Sequence, residues 1–553
     1  MAGEVKPIDL VAVQQLLGTT DALVREALEV AAKRTDAGKN IDDEQVHCER
    51  LAYAATEVAA ARDLLAYAQA GVQHGHKDPF VAEMAGVFAA EVAQRLAGNI
   101  DAHSAEFGVT EVRLNNTLGA AATKALIRDA MSDVRVGAIG RHVMQQRGVN
   151  HSWIDNELAL MTRDSVRQFA ETEVVPIAEH IHRHDDLVPD AIINKMSELG
   201  FFGMSVPEEF GGQGMGNLPM IITTEELSRC SLAAAGSLIT RPEILTKALL
   251  KGGTEAQKTK WLPPIAAGQI MVGISVTEPD TGSDVASVKC RADAAEVAGK
   301  KGYVINGAKA WCTFAGRANV LALLARTDAD PKKGARGLSL FIVEKDAFPG
   351  HEFEMKQSTG GVMHGKADRT PGYRGMHSFT LALENYFVPA ENLVGEQGGL
   401  NKGFYLQMGG FAAGRLQTGG RATGLSQAAL ERTAEYANDR KQFGQPIGQF
   451  QLTQYKLGRM ATYVMAGRQL TYAAALRMDE DESIALEPAM AKLFSSDVAV
   501  WVTQEGQLLH GGWGYAEEFP ISRYVVDATV LPIFEGVKPI LELKVIARNL
   551  LGG

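Results

Sequence analysis

The fold of this chain is decided by two nearby stretches, SVTEPDTGSDVASVKCRA at residues 275–292 and VINGAKAWCTFAGRANVLALLART at residues 304–327. Both contain short runs of β-branched and apolar residues, which are typical of strands, and both are interrupted by residues that favour turns. The turn around Thr281, Gly282 and Ser283 offers hydroxyl groups and a backbone that a ligand can approach closely. Such a turn is equipped to hold a phosphate or the edge of a heteroaromatic ring, although most turns of this composition hold no ligand.

The β-rich texture extends over residues 273–395, and helical periodicity dominates on both sides of it. Residues 151–272 and 396–553 carry apolar side chains at intervals of three and four, as amphipathic helices do. Residues 1–150 are Ala-rich and share this period, without alternating β-branched runs. The sequence therefore predicts a mainly α-helical protein with a central β domain, divided at these boundaries into four parts.

Two helical segments far apart in the chain resemble each other. ATEVAAARDL at residues 55–64 matches ATYVMAGRQL at residues 461–470 at Ala, Thr, Val, Ala, Arg and Leu. An internal duplication explains the match, but so does convergence, because Ala-rich amphipathic helices draw on few residue types. Both explanations stay open at the level of sequence.

Composition excludes several classes of function. With 55 basic and 66 acidic side chains, the net charge of -11 repels phosphate backbones, so a nucleic-acid partner is not expected. The four cysteines have neither zinc-site nor disulfide-framework spacing, which favours a reducing compartment. The first residues lack the pattern of a secretion signal, and no run of 18 apolar residues occurs, so we expect a cytoplasmic protein without membrane insertion.

Two motif-like segments do not support a site. GGVMHGKA at residues 360–367 resembles a phosphate-binding loop, but Ala367 lacks the hydroxyl that binds Mg²⁺ and Pro371 opposes a following helix. The histidines of HIHRH, at residues 180–184, are spaced two apart and point to different sides of a helix, so no metal site is predicted. Neither a GxSxG hydrolase motif nor a GxGxxG dinucleotide motif after a strand is present.

In their full spacing, residues 275–327 resemble the two middle-domain signatures of the acyl-CoA dehydrogenase family. Three further blocks follow in that family's order: VPAENLVG (388–395), DRKQFGQPIGQFQ (439–451), and a block from LLHGGWGY to IFEG (508–536). The resemblance covers residues 155–553. It implies a helical domain, a β-barrel-like middle domain and a C-terminal helical bundle, with FAD as cofactor and an electron-transferring flavoprotein as partner.

The resemblance also implies which residues contact the cofactor. Thr277, Trp311 and Thr313 match residues that embrace the flavin ring, and Arg440 matches a fixed cation for the pyrophosphate. The complete set of matched cofactor positions is Val276, Thr277, Gly282, Ser283, Trp311, Thr313, Arg440, Gln442, Phe443, Gln451, Gly511 and Gly512.

Glu535, in the block IFEG, matches the family's catalytic carboxylate. Its neighbours Leu531, Ile533 and Phe534 are apolar, and an apolar setting disfavours the charged form of a carboxylate and so makes it a stronger base. The resemblance implies that Glu535 removes the α-proton of an acyl-CoA thioester as the β-hydride moves to flavin N5, with Gly536 leaving room for the thioester. The alternative is an ordinary surface glutamate at the start of a helix.

The chain departs from the family pattern in ways that bear on its substrate. Val537, Lys538 and Pro539 follow the base in place of a Thr-Ser type pair, Arg548 comes one residue late, and residues 357–378 form a longer segment, either a cap over the pocket or a mobile surface loop. Because of these departures and the helical extension, the chain resembles the family members that oxidise a branched C4 dicarboxylic thioester, (2S)-methylsuccinyl-CoA, to mesaconyl-CoA in the ethylmalonyl-CoA pathway.

A dicarboxylic substrate needs a donor for its second carboxylate. Arg241 is the first candidate, followed by Arg374 and Lys538, whereas Ser283 and Arg415 match positions near the CoA arm and the catalytic loop. The alternatives are a monocarboxylic short or branched-chain acyl-CoA dehydrogenase, an oxidase that reduces O₂, and a non-catalytic helical scaffold. By analogy with enlarged relatives, in which an additional helical domain takes the place of a second dimer, we expect a homodimer.

Overall fold

The computed structural model describes residues 6–76, 78–150 and 152–552. They form two compact units. One unit is Leu158–Gln417, and the other combines the chain up to Glu157 with the chain from Thr418 onward. The predicted fold class is confirmed, because helices occupy the chain before and after a β-rich stretch that runs from Val272 to Pro389.

The N-terminal part is helical, and three of its helices begin at a side chain that caps them. The carboxylate of Asp9 accepts hydrogen bonds from the N–H groups of Val11 and Ala12, and Thr110 caps a later helix in the same way. The helices are α1 (Leu10–Arg34), α2 (Gln45–Gln73), α3 (Pro79–Ala102), α4 (Ser104–Phe107), α5 (Glu111–Asn115), α6 (Ala121–Ala130) and α7 (Asp133–Gln145).

The unit Leu158–Gln417 begins with helices, and Thr254 and Gln257 form a capping box at the last of them. These helices are α8 (Glu157–Phe169), α9 (Val175–His184), α10 (Asp190–Glu198), α11 (Asn217–Cys230), α12 (Thr240–Gly252) and α13 (Glu255–Ala266). The strands follow as β1 (Val272–Ser275), β2 (Arg291–Val297), β3 (Lys300–Thr313), β4 (Val320–Arg326), β5 (Leu338–Glu344), β6 (Glu352–Lys356), β7 (Val362–Ala367) and β8 (Ser378–Pro389), and then α14 (Glu396–Gly399).

The eight strands form one sheet in the order β1-β4-β2-β3-β8-β7-β6, with β5 paired to β4. β1 runs parallel to β4, and the long strands β3 and β8 pair antiparallel. β7 pairs with both β6 and β8, so residues 362–367 are a strand of the sheet, and the alternative of a mobile surface loop is wrong for this part of the segment 357–378. A strand that pairs on both sides is an interior element of a sheet, and the resemblance of residues 360–367 to a phosphate-binding loop has no structural counterpart.

The chain returns to helix at α15 (Gly403–Asp439). A short hairpin of β9 (Lys441–Gln442) and β10 (Gln445–Pro446) follows. The remaining helices are α16 (Gln451–Glu480), α17 (Leu486–His510), α18 (Ile521–Ala528), α19 (Lys538–Ile540) and α20 (Arg548–Gly552).

The turn between α1 and α2 repeats the turn between α15 and α16. A 3-10 turn occurs at Ile41–Asp43 in one and at Ile447–Gln449 in the other. The backbone angle φ is +53° and +80° at Ala37 and Gly38, against +51° and +81° at Phe443 and Gly444. The same spacing along the chain separates these pairs, the first residues of α2 and α16, and the matching segments 55–64 and 461–470.

The helix after Glu535 contains an irregularity that explains a departure from the family pattern. Between α19 and α20, residues Leu541–Ala547 form a π-helix. A π-helix accommodates an additional residue in a helix without shifting what lies on either side. The late arrival of Arg548 in the sequence therefore corresponds to a widened turn.

Candidate active site

The two stretches at 275–292 and 304–327 are braced against each other by a buried ion pair. Glu278 accepts hydrogen bonds from the backbone N–H groups of Lys289 (2.7 Å) and Cys290 (2.8 Å). Lys309, fully buried, donates to Glu278 at 3.0 Å and to the carbonyl of Val276 at 2.9 Å. This pair fixes the turn that carries Thr277, and the sequence motifs alone did not point to it.

Trp311 is presented to solvent by a bulge in the sheet. The register between β3 and β8 shifts between Lys309 and Cys312, and Trp311 has a φ of +57°. A bulge of this kind re-aims a side chain, and 59% of Trp311 is exposed although its strand neighbours are buried. Just before it, the N–H of Ala310 donates to the carbonyl of Thr277 at 2.8 Å, so the turn and the indole belong to one site.

The remaining predicted residues of this turn surround the same position. Val276 and Thr313 are buried, and the hydroxyl of Thr313 lies 3.0 Å from that of Ser378. Gly282 and Ser283 are exposed. The structure therefore brings the six predicted cofactor positions of residues 276–313 together around an exposed indole and an open, hydroxyl-rich turn.

Arg241 is 4% exposed at the start of α12. Among the described residues, the acceptor in hydrogen-bond contact with its guanidinium is the carbonyl of Ser237, at 3.2 Å. Arg374, in contrast, donates to the carbonyls of Thr370 and His182 and lies 3.4 Å from Asp185. The charge of Arg374 is thus balanced within the chain, which disfavours it as a binder of substrate.

Arg415 lies half-buried on α15. It belongs, like Arg241, to the unit Leu158–Gln417.

The turn between α15 and α16 presents its predicted cofactor residues to solvent. Arg440, Gln442 and Gln451 are exposed, and Phe443 is 95% exposed. Among the described residues, none forms an ion pair with Arg440. A planar cation and an aromatic ring held by a tight turn at the surface are groups that can contact a phosphate and a flat ring system.

Gly511 and Gly512 follow the end of α17, and a side chain at either position would meet open space. The hydroxyl of Tyr436, one helical turn before Arg440, donates to the carbonyl of His510 at 3.1 Å. This contact joins the ends of α15 and α17. The exposed turn and the exposed glycine backbone therefore belong to one surface.

Glu535 lies in a tight turn and has the left-handed φ of +53°. The N–H groups of Ile533 and Phe534 donate to the carbonyl of Val530, and the N–H of Lys538 donates to the carbonyl of Pro532 at 2.9 Å. A left-handed backbone is unusual for a residue other than glycine and clusters at functional sites. The side chain of Glu535 is partly exposed, as a base that meets a substrate must be.

Two expectations about this turn are corrected. Leu531 is fully buried, but Ile533 is 59% exposed, because the tight turn directs it away from the core, so the apolar setting of Glu535 is only partial. Phe534 lies with its ring 4.6 Å from the guanidinium of Arg421. Lys538, a candidate for the second carboxylate of the substrate, is 2.6 Å from Asp497, and this ion pair removes it from that role.

Three family models match the chain in an order that agrees with this structure. Acyl-CoA dehydrogenase, N-terminal domain, matches residues 156–269, and the middle domain matches residues 273–386. Acyl-CoA dehydrogenase, C-terminal domain, matches twice, at residues 10–141 and 401–551. This chain belongs to the acyl-CoA dehydrogenase family. It is therefore an oxidoreductase of a flavoprotein family.

The relatives of this acyl-CoA dehydrogenase differ in how much of the chain they cover. (2S)-methylsuccinyl-CoA dehydrogenase from Cereibacter sphaeroides is 37% identical over 98% of this chain and 96% of its own length. A glutaryl-coenzyme A dehydrogenase solved with glutaryl-CoA is 32% identical with a TM-score of 0.65, covering 72% of this chain and 96% of its own. Butyryl-CoA dehydrogenase from Megasphaera elsdenii is 29% identical with a TM-score of 0.64, covering 70% of this chain and 97% of its own.

The double match of the C-terminal domain settles the origin of the N-terminal helices of this dehydrogenase. The sequence match at 55–64 and the shared turn geometry lie within the two matched ranges, and the same spacing along the chain relates both to their counterparts. Duplication, one of the two explanations left open by the sequence, is confirmed. We call residues 10–141 the N-terminal repeat. Across the described residues, no helix is both long and apolar enough to cross a membrane.

Proposed function

We propose that this enzyme is an FAD-dependent dehydrogenase that oxidises (2S)-methylsuccinyl-CoA to mesaconyl-CoA in the ethylmalonyl-CoA pathway and passes the electrons to an electron-transferring flavoprotein. The proposed choice of substrate rests on the buried guanidinium of Arg241. A buried cation is costly unless an anion or several hydrogen bonds compensate it. Among the described residues Arg241 contacts a single carbonyl, and the second carboxylate of a C4 dicarboxylic thioester would supply the missing anion.

The residues present fit an FAD. Trp311 offers an exposed indole face, and the turn that follows Thr277 carries hydroxyl groups and is exposed at Gly282 and Ser283. Arg440 is an exposed cation that forms no ion pair with any of the described residues, and it is suited to bind a pyrophosphate. When bound, FAD supplies the acceptor for the β-hydride of the substrate. The cofactor positions named from the sequence are all proposed to contribute.

Glu535 is proposed as the base that takes the α-proton of the thioester. Its turn places a carboxylate at a partly exposed position, and Gly536, with a φ of +101°, leaves space beside it, since a Cβ atom there would lie 3.9 Å from its nearest neighbour, on Leu541. Removing a proton next to a thioester requires that the developing negative charge on oxygen be stabilised, and a backbone N–H aimed at that oxygen does so in many enzymes. The N–H of Glu535 is proposed for this role.

A flavin spectrum recorded with a panel of thioesters tests the proposal. We expect methylsuccinyl-CoA to bleach the flavin faster than isobutyryl-CoA, and Glu535→Gln to retain the yellow cofactor but lose about 10²- to 10⁴-fold or more in the rate of bleaching. Faster bleaching by the monocarboxylic thioester would favour a branched-chain acyl-CoA dehydrogenase. Retained turnover in Glu535→Gln would remove this residue from the role of base.

A homodimer is proposed for the assembly. The N-terminal repeat is a second copy of the C-terminal domain, and it covers α16 within the same chain. α7 crosses α16 so closely that a side chain at Gly140 or Gly458 would collide with the facing backbone of Gln454 or Val136. Because this face is already covered, it is closed to a further copy. Light scattering should give twice the 59.4 kDa mass of one chain.

A further inference from the structure

The segment that follows Glu535 makes its contacts with the N-terminal repeat through specific side chains. Lys538 lies three residues after Glu535, and its ammonium group is 2.6 Å from Asp497 on α17. The same oxygen of Asp497 accepts a hydrogen bond from the hydroxyl of Tyr53, on α2 of the repeat, at 2.9 Å. The ammonium group also lies 5.1 Å from the centre of the Tyr53 ring. Asp497 therefore links the repeat to the segment after the base.

A second set of contacts lies further along the same segment. Lys544, in the π-helix, forms an ion pair with Asp42 in the turn between α1 and α2. Gly38, in the same turn, faces the segment's end, where a side chain at this position would lie 3.6 Å from Leu551 and 3.8 Å from Arg548. The turn of the repeat thus binds the last helix of its own chain.

The repeat's copy of this turn has lost the features that would suit a cofactor. Arg34 occupies the place of Arg440, but it makes a two-point contact with the carboxylate of Glu44, at 2.7 and 2.8 Å. Ala37 stands where Phe443 stands in the other copy. An arginine paired in this way has few hydrogen-bond donors left for a phosphate, so this turn can serve a role other than cofactor binding.

Glu535 needs such support because its backbone is strained. A non-glycine residue at a φ of +53° persists only where its surroundings fix it. On one side, Lys492 of α17 is buried and donates to the carbonyl of Gly536. On the other, Lys538 is held by Asp497 and Tyr53. A displacement of a catalytic group by about 1 Å is enough to cost roughly 100-fold in rate.

We propose that the N-terminal repeat positions the catalytic base: Tyr53 and Asp497, by holding Lys538, fix the orientation of the turn that carries Glu535. Both are positioning residues, since neither is placed at the substrate. The inference rests on the proposed role of Glu535.

The experiment compares variants of the intact, FAD-loaded chain. Asp497→Asn is expected to slow flavin reduction at saturating substrate about 10- to 100-fold, with FAD content and KM near those of the parent. Tyr53→Phe removes one hydroxyl and is expected to slow it less, about 3- to 10-fold, and Lys538→Arg should keep most of the rate where Lys538→Met does not. Arg113→Met is the matched control, because it breaks an ion pair with Glu26 inside the repeat, away from the segment after Glu535.

Two readouts separate positioning from a general loss of stability. Exchange of the substrate's α-proton with D₂O reports on the base alone and should fall in parallel with flavin reduction. Hydrogen exchange of residues 533–540 should increase in Asp497→Asn and stay unchanged in Arg113→Met. If Asp497→Asn does not fold, Tyr53→Phe and Lys538→Met decide by the same readouts.

Several results would overturn the inference. Parent-like flavin reduction and α-proton exchange in Tyr53→Phe and Asp497→Asn would do so, as would an equal slowing in Arg113→Met. Glu535→Gln, measured in parallel, separates this failure from that of the proposed function. If Glu535→Gln is inactive while the positioning variants match the parent, only the inference about the repeat is wrong.

Discussion

Arg241 is the residue on which the substrate assignment depends most. Its guanidinium is buried, and a neutral replacement of similar length removes the charge while keeping much of the packing. We expect Arg241→Met to lower kcat/KM for methylsuccinyl-CoA by about 10²-fold, the effect of one charge-assisted hydrogen-bonding contact, and to leave isobutyryl-CoA within about 3-fold. Steady-state rates on the two thioesters measure this.

Arg374→Met provides the matched control for that prediction. Its guanidinium is occupied by Asp185 and by two backbone carbonyls, so its loss should affect both substrates alike. An equal loss with both thioesters in Arg241→Met would show that Arg241 supports the fold and does not read the second carboxylate.

Individual residues were predictable from sequence where a motif contains them and not where a tertiary contact creates them. Thr277, Trp311 and Thr313 were named from their spacing, and the structure joins the turn that carries Thr277 to β3, which carries Trp311 and Thr313. Glu278 and Lys309 were missed, although they lie inside the stretches 275–292 and 304–327, because their pairing depends on the turn after β1 meeting β3. A buried lysine inside an apolar strand, as at Lys309, was the available signal.

Among the elements, the π-helix Leu541–Ala547 carries a buried carboxyl group with an unusual acidity. Burial, opposed by Lys538 and reinforced by Glu49 and Asp497, raises the pKa of Glu542 from 4.5 to about 7. Burial lowers the pKa of the neighbouring Lys538, but its contact with Asp497 and the charges of Glu542 and Glu49 together raise the pKa of that ammonium group above its ordinary value. The carboxyl group of Glu542 thus changes charge close to neutral pH at a position between α2 and α17.

The sign of the resulting pH dependence follows from this shift. Between about pH 4.5 and 7 the unfolded chain loses the proton of Glu542 while the folded chain keeps it, so stability falls as pH rises through this range and is level above it. The difference is on the order of 3 kcal/mol. We expect Glu542→Gln to raise Tm by roughly 5 °C at pH 8 and to change it little at pH 5. Thermal unfolding at the two pH values measures this, and an equal shift at both would contradict it.

Helices and strands were predictable because the spacing of apolar residues that indicates them lies within each segment. The π-helix left one sign in the sequence, the position of Arg548 one residue later than in the family pattern. The order of helical and β-rich stretches follows from apolar spacing over ten or more residues. The strand β7 was missed because residues 357–378 are rich in Gly and basic side chains, and its place between β6 and β8 comes from pairing partners outside the segment.

In the molecule as a whole, two copies of one domain have taken different tasks. Arg440 is exposed in one copy, and Arg34 is paired with Glu44 in the other. We therefore expect one FAD per chain. Arg440→Met should lower the FAD retained after gel filtration, whereas Arg34→Met should leave it unchanged. Absorbance of the released flavin against protein concentration gives the ratio, and two flavins per chain, or loss of flavin in Arg34→Met, would contradict this division.

The duplication was suggested by sequence but could not be decided there. Ala-rich helices match easily by chance, so the segments 55–64 and 461–470 carried little weight alone. The match of both ranges to one family model decides in favour of duplication, and the turns agree with it, since left-handed φ values at Ala37 and Gly38 recur at Phe443 and Gly444 with the same spacing. Left-handed backbone angles are hard to recognise in a sequence, because a single glycine is often the only residue that marks such a turn.

The hydrogen bond from Tyr53 on α2 to Asp497, which holds Lys538, is an intramolecular contact, since Tyr53 and Glu535 belong to one polypeptide chain. A tethered domain meets its partner surface at an effective concentration that dilution of the sample does not change. The turn that carries Glu535 should therefore keep its orientation at the nanomolar enzyme concentrations of an assay or at low expression in a cell. A supporting contact made by a second subunit would be lost under these conditions, because the subunits would dissociate.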